Sequence, residues 1–308
     1  MDLTKQAPLI RIEDRRAAQN RKLAENLGKT AVYVLATVGA IVFIAPWAWM
    51  FSASLQPLSD IFDFPPNWIP EQFTLENYEN FLRTQNLGRM FFNSAFIALA
   101  VTFLQLFFNS LAAYTFAKRN FPGRDKIFTV LLSTLMIPGQ VTLIPAYLIL
   151  LHIPLAGGND IFGNGGHGWL DSYTGLIIPG AASIYGVFLL RQYMKTIPDE
   201  LLDAAKIDGA SEFRIYWQII VPLSGPALAA MGIFTFTYVW NDFFWPLITI
   251  SSPDLRTLPV GLALFVVKNR TVWDLVFAGS VVATLPILLI FLLFQRYFIR
   301  GIALTGMK

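Results

Sequence analysis

Six apolar stretches, at about 31–54, 91–117, 127–151, 173–193, 225–248 and 275–297, constrain this chain more than any other feature. Each is close to the ~20 residues that a helix needs to cross a bilayer. Backbone groups in lipid must find their hydrogen bonds within the segment, and a helix does this. The chain is 55% apolar and only 14% charged, where soluble proteins carry roughly a quarter charged residues. Together these features predict an all-α integral membrane protein with six transmembrane helices. Lysine and arginine then set its orientation. Of the 23, 18 lie in or beside the N-terminal tail, the loops after the second and fourth spans, and the C-terminus, and 5 lie in the opposite loops. That bias places both termini in the cytoplasm.

Several function classes are excluded at this level. With no cysteine there is neither a disulfide framework nor a thiolate metal site, and His152 and His167 alone do not make a metal cluster. The net charge of +3 comes from dispersed bases, not from a nucleic-acid footprint. Residues 1–30 read as a retained cytoplasmic tail, polar and mixed in charge, whose pattern permits a short helix along the membrane lipid. Gly28-Lys29-Thr30 imitates the end of a phosphate-binding loop. Leu23 stands where its first glycine belongs and no strand precedes it, so the chain is expected to bind no nucleotide itself.

One polar island interrupts the apolar pattern, from Lys195 to Pro226. Thr196 is placed to cap a helix, with Pro198 in the first turn and Asp199 and Glu200 at the positive end of its dipole. Leu201, Leu202 and Ala205 form the expected apolar face, with Asp203 and Lys206 opposite. Gly209 suits the left-handed residue that closes a helix. Ser211 caps a second helix, on which Phe213, Trp217 and Ile220 are expected to share a face. From Asp199 to Arg214 there are five acids and two bases. Helices that rest on lipid usually carry the opposite bias, so this island better fits a groove in another protein.

The stretch Asp203-Ala204-Ala205-Lys206-Ile207-Asp208-Gly209-Ala210, followed by Val221-Pro222-Leu223 and Pro226, resembles the EAA loop of bacterial ATP-binding-cassette importer permeases. Asp203 replaces the family's usual glutamate, and the spacing from Ala204-Ala205 to Asp208-Gly209 is intact. The resemblance implies a type I importer permease fold over 31–308, in the bacterial cytoplasmic membrane. It makes 197–209 a coupling helix seated in a cleft of the ATPase, through Asp203, Ala204, Ala205, Asp208, Gly209 and Phe213. The positive-inside count puts the island on the ATPase side independently.

Other segments are similar to the carbohydrate-importing, MalG-type branch of that family. They include 63–78 with its Pro65-Pro66 and aromatics, Phe92-Asn93-Ser94, and Trp240-Asn241-Asp242-Phe243-Phe244-Trp245-Pro246-Leu247. The last external loop, 249–274, which contains Lys268-Asn269-Arg270, corresponds by this resemblance to one that reaches into the binding protein. The 298–308 tail resembles the family's glycine-bearing C-terminus, which implies ATPase contact by Gly301, Thr305, Gly306 and Lys308. The implied partners are a homologous second permease, an ATPase dimer that holds the ATP and Mg, and an extracytoplasmic solute-binding protein.

For the solute pathway, polar residues inside apolar spans are the candidates. Gln105 and Asn109 share a helix face, as a bond between helices or as a solute contact. Gln140 lies beside Pro138, Gly139 and Pro145, where an expected kink frees backbone groups. Trp240, Asn241, Asp242 and Trp245 combine aromatic faces with amide and carboxylate, which suits sugars, although an interfacial belt with Asp242 as a cap also fits. Residues 153–166 read as a flexible glycine-rich insertion. An ion-coupled carrier using Asp242 is the competing class, and it lacks a second buried carboxylate and an inverted repeat. A membrane enzyme would need a catalytic cluster, which two distant histidines do not supply.

Overall fold

The computed structural model describes residues 7–83, 87–266 and 271–305, with side chains described for all of these except 7–20, 22, 24 and 296–305. Among the described residues the structure is all helical. It divides into two units, residues 1–74 and 75–308. In the first, α1 (Ala7–Ala53) is one helix of 47 residues. At 1.5 Å per residue it is about 70 Å long. The expected short tail helix and first span are therefore continuous, since no turn chemistry separates them. After α1 the chain doubles back. Buried Gln56 donates to the Ser52 hydroxyl at 3.0 Å and to the Asn67 carbonyl at 2.7 Å, and Ser52 donates to the Trp68 carbonyl at 2.8 Å.

The second unit begins with α2 (Glu76–Arg83), α3 (Leu87–Lys118), α4 (Arg124–Ser133) and α5 (Gly139–Leu151). It continues through α6 (Tyr173–Ile177), α7 (Ile184–Met194), α8 (Glu200–Ile207), α9 (Glu212–Ile215) and α10 (Val221–Leu223). It ends with α11 (Gly225–Trp240), α12 (Phe244–Thr249), α13 (Leu258–Ala263) and α14 (Trp273–Thr305). The segments Glu25–Ala53, Leu87–Lys118, Tyr173–Met194 and Trp273–Gln295 are each long and apolar enough to cross a membrane. Two bent pairs bring the number to six only if each pair is one span.

One bend divides the expected third span, and the other falls at the start of the expected fifth. The third is broken, with Arg124–Met136 and Gly139–Leu151 meeting at 101°. Ile137 is extended (ψ 116°), the geometry that a following proline imposes, so Pro138 divides the span instead of kinking it. At the start of the fifth, Glu212–Leu223 and Gly225–Trp240 meet at 77°. Pro226 cannot donate to the Pro222 carbonyl four residues earlier, which opens the ladder there. The helix ends at Trp240, not at 248, and α12 follows as a separate element.

Helix α3 is the hub, packed along α7 and α11, while α11 also packs on α14. One apolar core joins α3, α7, α8 and α11 around Leu190, Met194, Ile215 and Ile220. Another joins α2, α3, α11 and α14 around Phe81, Phe236 and Trp240. Asn93 and Ser94, the polar pair of the Phe92-Asn93-Ser94 stretch, clamp a distant loop. Asn93 donates to the carbonyls of Asp254 and Arg256 at 2.8 and 2.9 Å and accepts from the Tyr173 hydroxyl. The Ser94 hydroxyl accepts from the Leu258 amide at 2.8 Å.

The insertion after α5 is tightly built, which corrects the expectation of a flexible loop. Asn159 is buried, donates to the carbonyls of Leu151 and Ile153, and accepts from the Gly166 amide at 2.7 Å. Gly168 is left-handed (φ +59°), and a Cβ there would stand 2.0 Å from the Leu150 carbonyl oxygen. The glycines permit backbone to pack on backbone, so their number signals close approach and not mobility. Asp171 fastens the loop to the one before α13. Its carboxylate accepts from the Ser251 and Ser252 amides at 3.0 and 2.9 Å and from the Ser252 hydroxyl.

Burial alone would push the Asp171 carboxyl up, but the Ser252 hydroxyl, both serine amides and the His167 charge together hold it below the usual range. A depressed carboxyl stabilises the fold above its unfolded value of about 4, and the contribution disappears as pH falls through the native value. Thermal unfolding of the wild type should therefore approach that of Asp171→Asn as the pH is lowered through this window. Parallel loss in both proteins would remove Asp171 as the cause.

Candidate functional site

In the island, α8 buries Leu202 and Ala205 against Tyr216 and its neighbours and turns Asp203, Ala204, Lys206, Ile207 and Asp208 outward. Leu201 lies on the exposed side, off the expected apolar face. Ala205, expected at a partner contact, is instead committed to the chain's own core. The helix starts at Glu200, and Thr196 is not its cap, because the Thr196 hydroxyl donates back to the Tyr193 carbonyl at 2.8 Å. Gly209 is left-handed (φ +77°) and closes α8 with two bonds, Gly209 amide to Lys206 carbonyl and Ala210 amide to Ala205 carbonyl. This is a Schellman closure, which satisfies carbonyls that the helix end would leave unpaired. Ser211 caps α9, accepting from the Arg214 amide at 3.3 Å.

After α9 the backbone widens into a π-type turn over Tyr216–Ile220. The extra residue per turn separates the three expected face-mates. Phe213 and Trp217, 64% and 55% exposed, stack with planes 8° apart, while Ile220 is buried. Ile207 is 87% exposed. It was legible in the sequence as a lone apolar residue on the polar side of α8, next to Asp203 and Asp208. The outer face thus pairs an apolar centre with an acidic rim. The chain's own core leaves these apolar side chains uncovered.

A cleft of about 500 Å³ opens among α3, α7 and α11, lined by Gln105, Ser183, Tyr185, Gly186, Met231, Phe234, Thr235 and Tyr238. Of the expected pathway residues, only Gln105 lines it. Gln105 donates to the Gly180 carbonyl at 2.8 Å and accepts from the Thr235 hydroxyl at 3.1 Å. Asn109 is fully buried and accepts from the Ser183 amide at 3.0 Å. The pair ties α3 to the start of α7 and to α11. Gln140 is exposed at the start of α5. Met231, Phe234, Thr235 and Tyr238 share one face of α11, at an i, i+3, i+4, i+7 spacing that the sequence itself carries.

The polar groups of the aromatic run that follows bond within the chain. Trp240 stacks on Phe236 and donates its indole N–H to the Ala283 carbonyl at 2.9 Å. Trp245 donates likewise to the Gly175 carbonyl at 3.1 Å, and Asn241 to the Thr237 carbonyl within its own helix. Asp242, two residues before α12, accepts from the Trp245 amide in its first turn at 3.4 Å. Gly301 and Thr305 continue α14, with side chains outside the described set. Gly306, Lys308 and Lys268-Asn269-Arg270 lie outside the described residues.

The family described as binding-protein-dependent transport system inner membrane component matches residues 106–304, from the middle of α3 through α14. The chain belongs to this family. It is 34% identical over 281 residues to the arabinooligosaccharides transport system permease protein AraQ of Halalkalibacterium halodurans, covering 89% of this chain and 96% of that one. It is 33% identical over 278 residues to the sn-glycerol-3-phosphate transport system permease protein UgpE of Pectobacterium atrosepticum, covering 88% and 94%. Among solved structures, a chain of a bacterial ABC transporter involved in the import of the acidic polysaccharide alginate superposes with a TM-score of 0.76. Identity there is 21%, over 89% of this chain and 98% of that one, so the likeness is one of fold. The chain is a permease, and both the island and the cleft lie within the matched region or at its edge.

Proposed function

We propose that this permease forms half of the translocation pathway of an ATP-driven importer for a sugar or sugar-like solute in a bacterial inner membrane. It would cross the membrane six times with both termini cytoplasmic, each bent pair counting as one span. A second permease would complete the pathway, an extracytoplasmic solute-binding protein would deliver the solute, and hydrolysis of Mg-ATP would belong to a dimeric ATPase. The solutes named for the relatives, arabinooligosaccharides and sn-glycerol-3-phosphate, and a cleft combining Tyr185, Phe234 and Tyr238 with Gln105 and Ser183, support a polyhydroxylated solute. Aromatic faces suit sugar C–H surfaces, and the polar groups suit the hydroxyl rim.

The observation that carries the reading is the exposed Ile207 between Asp203 and Asp208, on a short helix whose inner face is already filled. The 197–209 segment would dock there on the ATPase, together with Gly209 and Phe213, and rock the flanking helices as the ATPase closes. Ile207→Glu places a charge at the centre of that contact without touching the core. Purification of the tagged chain in mild detergent should recover an ATPase and a second permease. Ile207→Glu should lower ATPase recovery at least tenfold while leaving the second permease bound. Unchanged recovery would count against docking through this face.

A further inference from the structure

The island is held at more points than its two covalent ends. Four side chains near the end of α3 reach it. Buried Ser110 and the Tyr216 hydroxyl lie 2.7 Å apart, and the Tyr114 hydroxyl donates to Glu212 at 3.0 Å. Arg119 pairs with the same Glu212 carboxylate and also donates to the Tyr114 hydroxyl. Lys118, its side chain 3% exposed, donates to Asp199 at 2.7 Å and to the Ile197 carbonyl. Ser110, Tyr114 and Lys118 follow one another at four-residue intervals, so they form a single polar stripe over the last turns. The stripe grips the island on either side of α8, since Asp199 immediately precedes α8 and Glu212 begins α9.

The same helix carries Gln105 at the wall of the cleft, between three and four turns before Lys118, and Asn109, which holds the start of α7 through the Ser183 amide. Helix α3 has no proline and runs unbroken from Leu87 to Lys118. The covalent routes from island to cleft are less direct. On one side the chain leaves α7 through a non-helical linker containing Pro198, and on the other it turns 77° at Ser224 before α11. A displacement at the island would be absorbed in part by a linker and a bend. Along α3 it is delivered by a rigid rod.

We propose that α3 carries the island's motion to the cleft, with Lys118 and Arg119 as the positioning residues that lock island to helix. The proposal rests on the reading of the island as the ATPase contact. The exposed halves of these ion pairs contribute little by themselves. Lys118 is different, because a buried ammonium without its partners is costly, and that cost holds the island in register with α3.

The test uses the assembled importer in lipid nanodiscs and needs no identified solute. The chain contains no cysteine, so spin labels can be placed at Phe108→Cys on α3 and Tyr238→Cys on α11, both exposed positions. ATP with vanadate should shift the distance between them. Arg119→Glu should abolish that shift while the ATPase remains bound and hydrolytically active, and the exchange Arg119→Glu with Glu212→Arg should restore it. A full shift in Arg119→Glu overturns the proposal. So does loss of the ATPase or of folded protein that the charge exchange does not repair, since the contact would then be structural only. Wild-type protein that carries no ATPase overturns the underlying reading as well, and the missing subunit identifies that failure.

Discussion

Trp240→Ala should cost about 3–4 kcal/mol of conformational stability, the usual range for removing a large buried aromatic. Trp240 is 1% exposed, stacks on Phe236 with ring centroids 5.7 Å apart, and meets Phe91 edge-on at 5.4 Å. Its N–H also bridges α11 to α14 through the Ala283 carbonyl. Alanine leaves a cavity at the crossing of three helices and an acceptor without its donor. Trp240→Phe keeps most of the packing and loses only the strut, at about 1 kcal/mol. Thermal unfolding of the purified importer in detergent, followed for both variants, checks the order and the spacing. Wild-type stability in Trp240→Ala together with a selective loss of solute affinity would return Trp240 to the pathway.

Arg191→Met should be nearly as damaging, at about 3 kcal/mol. The arginine is buried where α3, α4 and α7 converge. Its Nε donates to the Phe116 carbonyl at 3.1 Å, and its guanidinium lies 3.9 Å over the Phe128 ring. A charge-assisted bond to a carbonyl contributes about 1.5–3 kcal/mol and a desolvated cation–π contact about 2. The third contact, to Asp125 at 3.1 Å, counts for little because Asp125 faces solvent and keeps Arg124 as a partner. Arg191→Lys retains the charge but not the planar fork, so it should recover only part of the loss. Limited proteolysis at 119–126 would report the loosened corner directly. Equal stability of the lysine and methionine variants would show that the ring and carbonyl contacts do not carry the effect.

These two residues mark where sequence reading succeeds and where it stops. The all-helical character of the described residues was legible because long apolar runs leave few alternatives in lipid, and chemistry confined to one helix was legible too. Gly209 closes α8 and Ser211 caps α9 because each acts within a few residues of itself. The family could be recognised from 203–226 and 240–247, since both motifs are contiguous.

Tertiary structure decided whatever depends on which side of a helix meets which neighbour. Ala205 and Ile207 are two residues apart in one motif, yet one is buried in the chain's own core and the other stands free. Periodicity could not separate Ile220 from Phe213 and Trp217, because a π-type turn between them changes the pitch. Composition made the glycine-rich insertion look loose, while its order comes from one buried asparagine and backbone approaches that only glycine allows. Gln105 and Asn109 read as ties between helices ahead of solute contacts, but their partners Gly180, Ser183 and Thr235 lie 70 or more residues away and are visible only in the fold. The sequence determined which residues form helices and which motifs are present. The pairing of Lys118 with Asp199 and of Arg119 with Glu212, across 81 and more residues, needed the fold, because a side chain's partner is a property of packing and not of its own segment.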